Sequence, residues 1–266
     1  MPHTRPQVHS IRDGRAVAFP GWIDVPGLLH GTTTRAALPG GGKRDLFETI
    51  TRLRDAGVLP RRFTLGGDQV HGNNVAVVHE PLEPRNHPAG FRWDEEAQIG
   101  EFAATDALVC SIPGVLLAIQ TADCLPLFLV DRPIHMVGVA HCGWKGTLAG
   151  IATRTAGEMI ALGARASRLE AWIGPCIRAP HYEVGPDLIA CFRERFPDAP
   201  VSEDGVHLDL AAIVRWQLCE AGMLDEHIFD SRECTRSDLA TYYSYRGEGP
   251  ETGRLVSFIG FSPETQ

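Results

Sequence analysis

The stretch that decides the fold runs from residue 105 to residue 150 and reads TDALVCSIPGVLLAIQTADCLPLFLVDRPIHMVGVAHCGWKGTLAG. It contains short apolar, β-branched runs separated by turn residues, a pattern that predicts buried strands. We expect strands at residues 115–120, 127–130 and 136–140. Cys124 and His141 follow the first and third of these runs. A thiol and an imidazole at neighbouring strand ends make this the first place to look for function.

Outward from this stretch, the pattern alternates between further strands and amphipathic helices. The predicted strands are residues 25–31, 63–65, 75–79, 169–174 and 254–260, and the predicted helices are residues 45–57, 147–162, 186–196 and 209–222. Apolar residues recur every three or four positions over 147–162, and Asp209 is placed to cap the last helix. Residues 1–20 lack such a pattern and are expected to be partly disordered. Three prolines and mixed charges predict an irregular surface excursion at residues 80–101.

Composition places the chain among ordinary soluble globular proteins. Of its 266 residues, 44% are hydrophobic and 22% are charged, which predicts a single α/β or α+β layered domain over residues 1–266. The net charge of −8 without a basic block argues against nucleic acid as a partner. No apolar run approaches the ~20 residues that span a bilayer, and the start lacks the apolar segment of a signal peptide. We therefore expect a cytoplasmic protein that does not interact with membranes.

The seven cysteines do not form a recognisable framework. Their number is odd and they contain no Cys-x-x-Cys pair, which argues against a disulfide scaffold, a zinc ribbon and a thioredoxin-type redox pair. Most are expected to be small buried apolar groups, including Cys142 and Cys176.

Three residues could form a metal site: His71, Cys124 and His141. Two imidazoles and one thiolate suit zinc, and three protein ligands would leave a fourth position open, as in catalytic zinc sites. The competing hypothesis is that Cys124 is a nucleophile and His141 its general base. Because these residues are far apart in sequence, their spacing does not distinguish the zinc site from the cysteine nucleophile.

Three basic residues could contact phosphate or ribose. Lys145 lies at the start of a predicted helix, whose free N–H groups favour anions, and Arg246 and Arg254 flank a glycine-rich loop. The alternative for each is an ordinary exposed basic side chain. Gln69 and Asp123 adjoin candidate ligands and could orient an imidazole or simply cap a strand end.

Several motifs resemble those of the family once labelled laccase-domain or polyphenol oxidase proteins. They follow that family's order from about residue 66 to the end of the chain: QVHG at 69–72, ADCLP at 122–126, AHCGWKG at 140–146, IGPCI at 173–177, YEVG at 182–185, HLDL at 207–210, CT at 234–235 and SYR at 244–246. Lys145 stands where the family usually has arginine. The second cysteine that the family has shortly after the position of Cys234 is also missing.

The resemblance implies a four-layer α/β/β/α fold similar to cysteine hydrolases and glutamine-deamidating toxins. It implies a zinc ion held by His71, Cys124 and His141. The activity it implies is phosphorolysis of a purine nucleoside (adenosine, inosine or methylthioadenosine), with adenosine deamination as a related activity. Some members are implicated in editing peptidoglycan precursors, so a cysteine hydrolase or amidase remains the alternative.

The pattern of histidines shows whether the chain could be a multicopper oxidase. Multicopper oxidases assemble their trinuclear centre from His-x-His pairs and a His-Cys-His run, and none of the 11 histidines here forms either arrangement. The sequence therefore argues against a multicopper oxidase. Adventitious copper at an open His/Cys site is still chemically reasonable.

Overall fold

The computed structural model describes residues 8–40, 45–80 and 88–263. Within these ranges the strands are β1 His9–Ile11, β2 Ala16–Ala18, β3 Leu28–Thr33, β4 Thr64–Gly67, β5 Val75–Val78, β6 Arg92–Asp94, β7 Ile99–Phe102, β8 Ala107–Cys110, β9 Leu116–Thr121, β10 Leu125–Asp131, β11 Met136–Cys142, β12 Glu170–Ile173, β13 Ile228–Asp230 and β14 Leu255–Phe261. The α-helices are α1 Leu46–Asp55, α2 Trp144–Leu148, α3 Ile151–Ala161, α4 Pro186–Arg195, α5 Leu210–Glu220 and α6 Tyr245–Glu248.

The strands form two sheets. Sheet A has the order β1-β2-β3-β14-β9-β4-β7-β6, and sheet B has the order β13-β12-β10-β11-β8-β5. The chain crosses from sheet A to sheet B between β9 and β10, through the short segment that carries Cys124. In sheet B, β10 and β11 pair antiparallel, with Pro126 opposite His141.

Both faces of each sheet are covered by other elements, and alternate residues of β9 show this for sheet A. Leu117 and Ile119 pack into the apolar layer between the two sheets, whereas Leu116 and Ala118 pack with α1 on the outer side of sheet A. This alternation follows from the two-residue period of a strand. Helices α3, α4 and α5 cover the outer face of sheet B. The layers are therefore α/β/β/α, and the predicted fold class is confirmed.

The predicted single helix over residues 147–162 is wrong in one respect. The segment forms two helices, α2 and α3, and Gly150 lies between them with φ of +79°. A left-handed residue cannot continue a right-handed helix, and glycine adopts this conformation without steric cost. The C-terminal end is close to the prediction, because α3 ends at Ala161.

Two regions without a sequence pattern contain short strands. The antiparallel pair β1 and β2 lies within residues 1–20, and β6 and the start of β7 lie within residues 80–101. Strands of three residues are too short to show a periodic pattern, which is why they were not predicted. Residues 1–7 and 81–87 lie outside the described ranges.

Helix capping follows the sequence closely. The Asp209 side chain accepts a hydrogen bond from the Ala212 backbone N–H at 2.9 Å, so the predicted N-cap of α5 is confirmed. Asp45 caps α1 in the same way, with 2.8 Å between its carboxylate and the Glu48 nitrogen. Across the residues that the structure describes, the helices are all too short or too polar to cross a bilayer.

Candidate metal centre and cleft

His71, Cys124 and His141 come together at one end of the layer between the sheets. His71 lies in the turn between β4 and β5, Cys124 lies between β9 and β10, and His141 lies within β11. Their possible ligand atoms all lie within 4.8 Å of one another. The two imidazole rings have centroids 4.7 Å apart and are steeply inclined to each other. The structure thus brings together the three residues proposed from sequence.

Asp106 holds two of these residues in place and was not identified from the sequence. Its buried carboxylate accepts hydrogen bonds from the backbone N–H groups of Val70, His71 and Gly72, at 3.1, 2.9 and 2.7 Å. It also contacts His141 Nδ1 at 2.8 Å. A proton on Nδ1 leaves Nε2 as the lone-pair nitrogen of His141, the tautomer that a metal ligand needs.

The charges of the thiol and the imidazole support each other. Burial by itself would raise the pKa of the Cys124 thiol, but the neighbouring His141 and His71 bring that pKa below its ordinary value. Burial would likewise lower the pKa of His141, but the Cys124 thiolate and the Asp106 carboxylate raise it. A thiolate is the form of cysteine that binds metals and attacks electrophiles. Burial would raise the pKa of Asp106, but His141 and the backbone N–H groups of Gly72 and Val70 bring it below its ordinary value.

Gly143 leaves room beside the three side chains. A β-carbon at this position would lie 3.0 Å from His71 Cδ2 and 3.2 Å from Cys124 Sγ. A β-carbon here would press against both side chains, whereas glycine leaves them in place. Two imidazoles and a thiolate with space beside them are a suitable donor set, and this group could hold a metal ion.

The group lies in a cleft of about 660 Å³. The cleft is large enough for a small organic ligand. It extends past the ends of the strands of sheet A, toward the start of α1. The residues lining it are Asp45, Leu46, Gly67, Asp68, Gln69, His71, Arg92, Glu101, Gln120, Thr121, Ala122, Asp123, Cys124, His141, Trp144, Ile177, Tyr182, Leu210, Tyr245, Arg246 and Arg254.

Arg246 is firmly braced on the cleft wall. Its backbone N–H donates to Asp123 at 2.6 Å, and its guanidinium donates to the Glu183 carbonyl at 2.9 Å and lies over the Tyr182 ring. Asp123 also accepts a hydrogen bond from the Thr235 hydroxyl at 2.6 Å. Asp123 therefore holds α6 and the Thr235 segment against the cleft and does not orient an imidazole.

The cleft also contains an acidic region. Asp45, Asp68 and Glu101 line it together with Arg92. Arg92 lies 2.7 Å from the Glu101 carboxylate and 3.5 Å from that of Asp45. One guanidinium is thus shared between two of three carboxyl groups. These residues are far apart in sequence, so no motif could have joined them.

The other residues proposed from sequence have different positions. Lys145 is exposed and its ammonium lies 5.4 Å from the centre of the Trp144 ring; it is not among the cleft-lining residues. Gln69 exchanges two hydrogen bonds with the backbone of Gln120 and so fixes the turn that leads to His71. Cys142 and Cys176 are fully buried, as expected, and burial raises the pKa of both thiols.

The fold and the donor group together define a class: a two-sheet α/β/β/α protein with a His–Cys–His group in a cleft. Residues 43–262 match the family model described as multi-copper polyphenol oxidoreductase laccase, and the chain belongs to this family. The chain is similar to a purine nucleoside phosphorylase of Deinococcus radiodurans, with 43% identity over 195 residues that cover 73% of this chain and 68% of that protein.

Two further relatives extend the comparison. Adenosine deaminase RL5, from an unknown prokaryotic organism, is 32% identical over 208 residues, covering 76% of this chain and 74% of that protein. The crystal structure of YlmD from Geobacillus stearothermophilus has a TM-score of 0.79 and 26% identity, covering 98% of this chain and 100% of that one. The described architecture is thus shared by a solved member along nearly its whole length.

Proposed function

We propose that this protein is a metal-dependent enzyme that cleaves adenosine, inosine or methylthioadenosine with phosphate, giving the free base and a ribose 1-phosphate. The observation that carries the proposal is the convergence of His71, Cys124 and His141 in a cleft of nucleoside size. The relative at 43% identity that is named purine nucleoside phosphorylase supports the same reaction.

Zinc is the metal that we propose for this group. Two imidazoles and one thiolate match zinc donors, and three protein ligands would leave a position for substrate. When bound, zinc would supply a Lewis acid beside the substrate. The family description mentions copper, and an open His/Cys site can also take copper. Metal analysis of the purified protein distinguishes the two.

The reaction requires the cleft to hold two substrates in line. A phosphate oxygen forms a bond to C1′ of the ribose while the bond from C1′ to the purine nitrogen breaks. The electron pair of that bond leaves with the base, which then takes up a proton. Arg246 and Arg254 supply positive charge for phosphate at the cleft wall. Asp106 keeps the His71 turn and the His141 ring fixed throughout.

Adenosine deamination is a second proposed activity, favoured by the relative named adenosine deaminase. In that reaction, the oxygen of water replaces the exocyclic amino group of adenosine and ammonia leaves. Phosphate does not take part. The two activities can therefore be separated by leaving phosphate out of the assay.

The test is the identity of the products. Each nucleoside is incubated with the metal-loaded protein, with and without phosphate, and the products are identified by mass spectrometry. We expect free base and ribose 1-phosphate, or 5-methylthioribose 1-phosphate from methylthioadenosine, only when phosphate is present, and neither with Cys124→Ala. Cys191→Ala is the matched control because Cys191 is an exposed thiol outside the cleft. The absence of sugar phosphate from every wild-type reaction would exclude the phosphorylase.

The cysteine hydrolase acting on peptidoglycan precursors is less well supported. A Cys124 nucleophile needs one imidazole as its base, and His141 with Asp106 behind it would be sufficient. That hypothesis gives no role to His71, whose donor atom lies within 4.8 Å of those of Cys124 and His141. Turnover of a peptidoglycan precursor by protein stripped of metal would favour the cysteine hydrolase over the phosphorylase.

A further inference from the structure

We propose that Thr121 and Arg254 form the subsite that binds phosphate. This inference rests on the proposed phosphorylase function and assigns its second substrate to particular residues. Thr121 is the last residue of β9, and it pairs with Leu255 at the start of β14. Arg254 directly precedes Leu255, so the two residues lie on adjacent strand ends, and both line the cleft.

The Thr121 side chain lies on the side of its strand that faces His71, Cys124 and His141. Leu117 and Ile119 of the same strand face the layer between the sheets, and the two-residue period places Thr121 on that same side. Val137 and Val139 of β11 face this layer as well, which places His141 there by the same rule. Cys124 follows Thr121 by three residues. The Thr121 side chain therefore lies on the side of sheet A that faces His141, and both residues line the same cleft.

The hydroxyl of Thr121 lacks a partner. Thr121 is 2% exposed, and within the described residues its Oγ1 makes no hydrogen bond. A buried polar group that is left unpaired costs free energy, so a hydrogen-bonding ligand is expected beside it.

Arg254 has a guanidinium that is available for an anion. It donates from Nη1 to the carbonyls of Thr252 and Gly253, both at 3.0 Å, which leaves its other N–H groups for a ligand. Across the described part of the chain, no carboxylate forms a direct ion pair with it, and Cys124 and Asp123 act on its charge from nearby. The preceding residue, Gly253, packs directly against the Tyr243 ring, since a β-carbon there would lie 2.5 Å from that ring.

The charge distribution in the cleft also favours this location. Asp45, Asp68 and Glu101 would repel an anion from the region near α1, where Arg92 is already paired. Lys145, which the sequence suggested for phosphate, lies outside the cleft lining. Among the cleft-lining cations, Arg254 is thus the one least engaged by other side chains.

The experiment measures phosphate affinity directly and by kinetics. Inorganic phosphate is titrated calorimetrically into the metal-loaded protein, with inosine's product hypoxanthine present, and the KM values for phosphate and inosine are determined separately. We expect Thr121→Val to weaken phosphate binding about 10-fold, the effect of losing one hydrogen bond to a charged group. Arg254→Gln should weaken it by about 100-fold, and Arg254→Lys by less. The KM for inosine should change much less than the KM for phosphate.

Two controls match the two residues. Thr147→Val removes a hydroxyl that is also buried and unpartnered but is not in the cleft, and Arg154→Gln removes an exposed arginine of α3. Neither should change phosphate affinity. Thr121→Val should not lower the melting temperature, because the lost hydroxyl has no partner in the protein; this separates a ligand contact from a structural role.

Each outcome decides for or against the subsite. Unchanged phosphate affinity in both Thr121→Val and Arg254→Gln would overturn it, as would equal increases in both KM values or a loss confined to Lys145→Ala. Absence of phosphate binding to the wild type overturns it too. Phosphate binding that depends on Thr121 and Arg254, without any sugar phosphate among the products, would support the subsite while excluding the phosphorylase.

Discussion

Asp106 connects the segments that carry His71 and His141 through one carboxylate. Three of its four contacts are to the consecutive backbone N–H groups of residues 70–72, and the fourth is to the His141 ring. His71 has φ of +62°, a conformation that is unfavourable for a non-glycine residue. The hydrogen bonds to Asp106 stabilise this turn, and so the direction of the His71 side chain depends on a residue 35 positions away.

Asp106→Asn should weaken metal binding about 10- to 100-fold, the range found for residues that orient metal ligands. Asparagine would place its N–H₂ group where the backbone N–H groups of residues 70–72 and the His141 ring need a hydrogen-bond acceptor. Competition with a chelator of known affinity measures the change. The control is Asp131→Asn, because Asp131 is equally buried and is paired with Arg168 at 2.7 and 2.8 Å, away from the metal group. Loss of stability in both variants with equal metal affinity would contradict this role.

His30 is a buried histidine away from the cleft, packed edge-on against Trp22 and Trp172. It is 4% exposed, and its Nε2 lies 3.1 Å from the Phe19 nitrogen. Burial lowers the pKa of His30 to about 4, against a smaller raising effect of the Phe19 backbone. The ring is therefore neutral in the folded protein at pH values where the unfolded chain already binds a proton.

This shift makes the free energy of unfolding depend on pH. The folded pKa lies below the unfolded value of about 6.5, so the contribution of His30 is complete above pH 6.5 and is lost as the pH falls toward 4. The full loss is about 3 kcal/mol. The free energy of unfolding, measured with urea at pH 7 and pH 4.5, should differ less between the two pH values for His30→Gln than for wild type. An imidazole NMR signal of His30 that titrates near pH 6.5 would rule this out.

Among the elements, the central strands could be predicted and the helix break could not. Strands β9, β10 and β11 are almost wholly apolar because both faces of each sheet are covered, and such runs are visible in sequence. Residues 147–162 keep a helical apolar spacing on both sides of Gly150, so the spacing gave no sign of a break. Asp106 was missed for a related reason: its role exists only because β8 pairs with β11.

The break at Gly150 predicts opposite effects for two glycines in one segment. Gly150 has open space around it but φ of +79°, whereas Gly157 has open space and lies within α3. Gly150→Ala should destabilise the protein by about 1 kcal/mol because alanine is strained in the left-handed region. Gly157→Ala should stabilise it by about 0.5–1 kcal/mol. Urea unfolding measures both free energies; a stabilising Gly150→Ala would show that α2 and α3 can be joined as one helix.

For the whole molecule, His71, Cys124 and His141 lie where the chain passes from one sheet to the other. The turn bearing His71 leads from β4 of sheet A to β5 of sheet B, and the segment bearing Cys124 leads from β9 of sheet A to β10 of sheet B. His141 belongs to sheet B itself. The resemblance of the motifs indicated which residues would meet. The cleft that surrounds them could not be foreseen, because α1, β6, β7 and α6 contribute to it from separate parts of the chain.

A metal bound at this junction should stabilise the fold as a whole, because it binds the folded state and joins the two sheets. At 100 times its dissociation constant, a ligand adds about 2.7 kcal/mol to the free energy of unfolding, which is roughly 5–10 °C in melting temperature for a chain of this size.

We expect about one zinc per chain, a melting temperature that falls by this amount on chelation, and recovery when zinc is added. Cys124→Ala and His141→Ala should lose both the zinc and the response, whereas Cys191→Ala and His79→Ala, which change exposed residues, should keep both. Folded Cys124→Ala and His141→Ala variants that retain full zinc would show that the ligands lie elsewhere.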